Sequence, residues 1–148
     1  MNRLLIVLFA ITGLFSCSSS KKLGGVNYGS PKVKQELLDD YTFKISIYSQ
    51  DKTYGYTENN PIMVGGALSD GPQNERRFIN ALCGPNGEQL EYYRIGSCCP
   101  FKTKSSEWGG MLDMYNVKYR GLEEGLILYI NMYDSDTLKV PVGLNFKY

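Results

Sequence analysis

The spacing of apolar positions changes several times along this chain. Leu4 to Phe15 is an almost unbroken apolar run, whereas residues 18–31 offer only Leu23, Val26 and Tyr28 for packing. From Tyr41 the spacing becomes two. Tyr41, Phe43, Ile45 and Ile47 alternate with Thr42, Lys44, Ser46 and Tyr48, which predicts a strand with one buried face. Residues 52–56 and 61–64 read as short extended pieces broken by Gly55, Asn59-Asn60-Pro61 and Gly65-Gly66. Between Asp70 and Gly84 the period is helical: Phe78, Ile79, Leu82 and Cys83 share a stripe, and Gln73, Arg76, Arg77 and Asn80 lie mostly away from it. Ser69 or Asp70 is placed to cap this helix, Pro72 to sit in its first turn, and Gly84-Pro85 to end it.

After the Pro85-Asn86-Gly87 turn, residues 89–95 predict a second clear strand, followed by a loop over residues 96–110. Residues 111–119 and 126–133 predict two longer strands joined as a hairpin through residues 120–125. The second of these is apolar on both faces, as a central covered strand would be. Residues 137–146 read as an edge strand because Pro141 cannot donate to a ladder. About five strands and one short helix, without regular strand-helix alternation, make an α+β domain with a mainly antiparallel sheet.

The N-terminal run is too short to span a bilayer. As a helix it rises only about 18 Å, against a hydrocarbon core of about 30 Å. A charged start at Arg3, a short apolar core and small residues before Cys17 form instead a secretory leader. Leu14-Phe15-Ser16-Cys17 resembles a bacterial lipobox, in which the cysteine is acylated and becomes the first mature residue. An ordinary signal cut near Ser16 is the alternative. The expected organisation is a signal peptide over residues 1–16, a lipidated cysteine and flexible tether over residues 17–40, and one α+β domain over residues 41–148. Acyl chains would carry the membrane attachment.

Composition narrows the function classes. Lys+Arg 16 against Asp+Glu 15 leaves a net charge of +1, so no broad basic surface favours nucleic acid. The absence of histidine removes the commonest general base and every imidazole metal site. No catalytic residue, metal site or cofactor is expected. Glu75-Arg76-Arg77 beside Asn74 reads as a solvated face with local ion pairs, the alternative being an anion clamp, and Asp134-Ser135-Asp136 reads as a turn. With Cys17 assigned to lipid, Cys83, Cys98 and Cys99 are the candidate disulfide residues. A bridge from Cys83 to one of the adjacent pair is the leading expectation. A vicinal Cys98–Cys99 bond, or a relay among all three thiols, is the alternative.

Twelve tyrosines and the lone tryptophan leave a last question. Tyr54, Tyr56, Tyr93, Trp108 and Tyr129 are candidates for a stacking surface that would take a glycan or peptide. The competing explanation is that tyrosine covers a sheet face well beside water.

The stretches Thr53-Tyr54-Gly55-Tyr56-Thr57-Glu58-Asn59-Asn60-Pro61-Ile62, Val64-Gly65-Gly66, Asn74-Glu75-Arg76-Arg77-Phe78, Gly84-Pro85-Asn86-Gly87 and Gly96-Ser97-Cys98-Cys99-Pro100-Phe101 together resemble a group of small lipoproteins of the Bacteroidetes. Some of that group carry the name 2-dehydro-3-deoxyphosphooctonate aldolase. The resemblance transfers no site residues. Such an aldolase implies a (β/α)8 barrel of about 250 residues, which this chain is too short to form. In lipoproteins of that phylum an acidic patch after the lipidated cysteine accompanies surface export; its absence after Cys17 implies a periplasm-facing position on the outer membrane. The expected function is therefore a lipid-anchored binding or scaffolding domain, with an envelope protein or a glycan as partner. A thiol-redox enzyme and the aldolase are the catalytic alternatives.

Overall fold

The computed structural model describes residues 33–148; the expected signal peptide, Cys17 and most of the expected tether lie outside them. One helix and eight strands stand among the described residues: β1 (Leu37–Asp39), β2 (Thr42–Phe43), β3 (Ile62–Met63), α1 (Ala67–Asn80), β4 (Leu82–Cys83), β5 (Glu91–Phe101), β6 (Gly110–Lys118), β7 (Leu126–Asn131) and β8 (Asn145–Phe146). The main sheet has the order β3-β7-β6-β5, antiparallel except where β3 runs parallel to β7. Two short antiparallel ribbons, β1–β2 and β4–β8, complete an α+β fold.

The core lies between α1 and one face of this sheet. Phe78 and Ile79 of the helix meet Val117 of β6 and Leu128 and Ile130 of β7, with Ile62, Val64 and Val140 closing the edge. The β6–β7 hairpin follows the expected pattern, pairing Val117 with Leu126 and Tyr115 with Leu128. β7 is central as expected, with β3 on one side and β6 on the other, but it is not fully covered on both faces: Leu128 and Ile130 toward the helix are buried, whereas Ile127 and Tyr129 on the opposite face are half-buried.

Several expected boundaries are corrected. The tether gives way to folded chain before residue 40: Leu37–Asp39 pair with β2, and the Gln35 side chain donates to the carbonyls of Met63 and Asp136. The strand expected over residues 41–48 shrinks to β2 and a bridge from Tyr48 to Val140. Phe43 and Ile45 are buried, but Tyr41 and Ile47 are exposed. Residues 52–56 are turns rather than a strand. Asp51 takes hydrogen bonds from the Thr53 amide and hydroxyl and from Asn60, an arrangement that competes with sheet pairing and holds its carboxyl below the usual range. Residues 137–146 are mostly irregular, with Leu138, Val140 and Leu144 buried, and only Asn145–Phe146 form strand.

The helix starts and stops earlier than its apolar stripe suggests. Gly66 occupies the cap position at φ 97, and its carbonyl accepts the Asp70 amide and the Ser69 hydroxyl; neither Ser69 nor Asp70 caps the helix. Pro72 therefore falls in the second turn. At the other end, Leu82 and Cys83 leave the helix to pair with Phe146 and Asn145, so their burial comes from a strand. At Gly71, a Cβ would come within 2.7 Å of the Met132 sulfur. Only glycine lets the helix approach the end of β7 this closely.

Candidate functional site

One turn before Phe78 on the same stripe is Glu75, and the helix carries it fully under cover, at 0% exposure. The solvated face expected for residues 75–77 is thus corrected: Glu75 is buried, Arg77 is half-buried and Arg76 is exposed. Arg77 donates to the Asp40 carbonyl and to Asn74, which itself donates to the Val64 and Gly65 carbonyls. The overlooked signal is spacing. Glu75, Phe78, Ile79 and Leu82 follow the i, i+3, i+4, i+7 rule of a buried helix face, placing an acid where an apolar residue belongs.

Facing Glu75 are side chains of β5 and β6. The Tyr115 hydroxyl donates to Glu75 Oε2 at 2.8 Å, while Glu75 Oε1 has no hydrogen-bond partner. Arg94 grips Asp113 through both ends of its guanidinium, Nε to Oδ2 and Nη2 to Oδ1, each at 2.8 Å. Ser97 donates to Asp113 Oδ1 at 2.7 Å and accepts from Arg94. The strand register explains this grouping: Arg94 lies opposite Tyr115 and Ser97 opposite Asp113, with an irregularity between Arg94 and Gly96 that brings both onto the helix-facing side.

These groups border a cleft of 410 Å³ between α1 and the sheet, whose apolar walls include Pro72, Met111, Met132 and Tyr133. Burial pushes the Glu75 carboxyl up to about 7, and the neighbouring Asp113 charge adds to the rise. The Tyr115 hydroxyl is also raised, by burial first and then by the Glu75 charge. A carboxyl that changes charge near neutrality, with one oxygen uncommitted, can take up a proton or receive a hydrogen bond from a ligand.

The thiols differ from the leading expectation. Cys98 and Cys99 bond to each other, and Cys83 is free, buried and donating to the Phe146 carbonyl. A Cys83 bridge fails because α1 ends early, which commits Cys83 to the β4–β8 ribbon, whereas β5 runs on through Cys98 and Cys99 instead of forming a loop. Burial and the Glu88 charge raise the Cys83 thiol, making it a poor nucleophile. Among the described residues, Cys99 is the one non-glycine residue with positive φ, at 58°.

The five aromatic candidates do not share one exposed face. Tyr54 lies in the core, its hydroxyl accepting the Lys139 amide, because residues 52–56 turn inward. Tyr56 is half-buried and donates to the Val142 carbonyl. Tyr93 and half-buried Tyr129 lie on the sheet face away from the helix, while Trp108 is 98% exposed on the β5–β6 connection. Asp134 is a turn residue as expected, and it is also buried, accepting from Thr103 and Asn131.

Among the described residues no three acidic or cysteine side chains converge as a metal site, and no helix is long and apolar enough to cross a membrane. Comparison with protein-family models, with curated proteins and with solved structures finds no match to this chain.

Proposed function

We propose that this protein is a lipoprotein anchored through Cys17 to the outer membrane, facing the periplasm, whose α+β domain binds a small ligand in the cleft beneath α1. The observation that carries the binding reading is Glu75: a fully buried acid whose Oε1 has no partner, bordering a cleft. A buried polar group left unpaired costs about 1–3 kcal/mol, a cost that a ligand's donor would remove. The cleft volume lies within the usual range for small-molecule sites. Two of the three hydroxyl side chains at the cleft, Ser97 and Tyr115, already donate to carboxylates, which favours binding over covalent catalysis.

The anchor reading rests on the leader and on Leu14-Phe15-Ser16-Cys17. The resemblance to small Bacteroidetes lipoproteins supports the same placement. Two measurements test the two halves. Cys17→Ala should move the chain from the membrane fraction to the soluble fraction; retention in the membrane would overturn the anchor. Carboxyl NMR of the full chain in detergent should show Glu75 titrating near pH 7 and moving when a periplasmic small-molecule extract is added. A Glu75 signal indifferent to every fraction would overturn the binding reading.

A further inference from the structure

We infer that the cleft under α1 takes a small zwitterion, a free α-amino acid with an apolar side chain, its ammonium on Glu75 and its carboxylate toward Arg76. This inference rests on the binding reading above and narrows it to one ligand class.

Charge pairing around the cleft supports the choice. From β6, Glu75 is faced by Asp113 and Tyr115, and from β5 by Arg94. Arg94 and Asp113 neutralise each other in a two-pronged contact, and the Tyr115 hydroxyl is neutral and already donating. Among the charged groups, what is left once Glu75 is ionised is one acceptor without a donor, Glu75 Oε1, and one cation, Arg76, which borders the same cleft without an ion pair or hydrogen bond among the described residues; the protonated Glu75 carboxyl bonds to Asp113 instead. Although consecutive helical residues point in different directions, both line this cleft, Glu75 from the buried face of α1 and Arg76 from its exposed flank. A simple cation would satisfy Glu75 and be repelled by Arg76; a simple anion would meet the reverse. A ligand carrying both signs is matched by both, and charge-assisted hydrogen bonds are the strong ones.

The walls fit the rest of such a ligand. Met111 and Met132 supply unbranched, adaptable surface, suited to aliphatic side chains of differing shape. A bound ammonium would also favour the ionised form of Glu75. Because burial holds that carboxyl near 7, binding at pH 6 should release a proton, and affinity should rise with pH up to about 7.

The test is calorimetric titration of the full chain in detergent with L-leucine, N-acetyl-L-leucine and L-leucinamide. L-leucine should bind, and each derivative, lacking one charge, should bind at least tenfold more weakly. Glu75→Gln should weaken L-leucine at least tenfold while barely changing N-acetyl-L-leucine, and Arg76→Gln should do the same with L-leucinamide as the insensitive probe. Equal binding of all three probes, L-leucine binding indifferent to both substitutions, or no L-leucine binding would overturn the inference. Two further probes separate its failure from that of the binding reading. If n-butylammonium or isovalerate binds in a Glu75-dependent way where L-leucine does not, the zwitterion falls and the ligand cleft stands. If no probe binds and Asp113→Asn abolishes the near-neutral titration of Glu75, an internal proton shared by the two acids accounts for Oε1, and both fall.

Discussion

One helix covers the sheet in two chemically different ways. Toward its C-terminal end, Phe78 and Ile79 press on Val117, Leu128 and Ile130 in a dry apolar layer. One turn earlier, Glu75 meets Tyr115, with Asp113, Arg94 and Ser97 beside it, through directed hydrogen bonds around a cleft. The apolar half gains stability in proportion to the surface it buries and tolerates no alternative occupant. The polar half leaves an acceptor unsatisfied and gives up stability to keep it. Such a contrast within a single interface separates the part that holds the fold from the part free to recognise something.

Removing the keystone of the apolar half should have the largest effect. Phe78→Ala leaves a cavity at a fully buried site and should cost about 3–5 kcal/mol, seen as a lower denaturation midpoint with the slope unchanged. A loss under about 1 kcal/mol would mean that the two halves are not packed differently after all.

Changing the polar half should act in the opposite sense. The Glu75 carboxyl ordinarily titrates at 4.5 and is raised to about 7 in the fold, so the folded state holds a proton that the unfolded state has released across that window. Stability is therefore greatest below about pH 4.5 and falls as pH rises toward 7, by about 3 kcal/mol in all if the shift is fully expressed. Glu75→Gln should flatten this slope. Denaturant titrations of both proteins at pH 4.5 and 7.5 would show it, and an equal slope in the variant would assign the dependence to another group.

The apolar half was legible in the sequence and the polar half was not, for a physical reason. The hairpin of β6 and β7 and the Phe78-Ile79 stripe are periodic, and periodicity reports burial directly. Glu75 sits on that same stripe, yet its charge suggests solvent, and only the partner strands reveal what receives it. Residues 52–56 misled in the opposite direction: their β-favouring tyrosines and threonines lose to the local bonds of Asp51, and Tyr54 turns into the core. The apolar stripe marks Cys83 as buried but points to the wrong element, because strand pairing with Asn145 overrides the helical period.

A smaller effect should follow from Asp113→Asn, which tests whether the polar half is a network or a set of independent pairs. Asparagine keeps one acceptor for Arg94 or Ser97 but loses the charge, costing about 1–2 kcal/mol. It also removes the nearest like charge from Glu75, so the Glu75 titration should move down from about 7, with burial keeping it above its ordinary 4.5. Carboxyl NMR reads both. An unmoved Glu75 would separate the two acids.

The smallest effect should come from the Cys98–Cys99 bond, although a disulfide is often the strongest staple in a domain of this size. Adjacent cysteines close the shortest loop a chain allows, so the unfolded state loses only about 1 kcal/mol of freedom. Against this gain stands Cys99 at φ 58, a left-handed conformation that costs an L-residue about 1–2 kcal/mol. The two nearly cancel. Replacing both cysteines by serine should thus shift the midpoint by under about 1 kcal/mol, far less than Phe78→Ala, because β5 is held by its pairing with β6 and by the Arg94–Asp113 contact nearby. Thiol titration of the Cys17→Ala chain checks the premise: no thiol should react in the folded protein and one, Cys83, after unfolding without reductant. Three reactive thiols would show the bond to be absent, and a loss of several kcal/mol in the double variant would make the disulfide, rather than the apolar layer, the main support of the cleft.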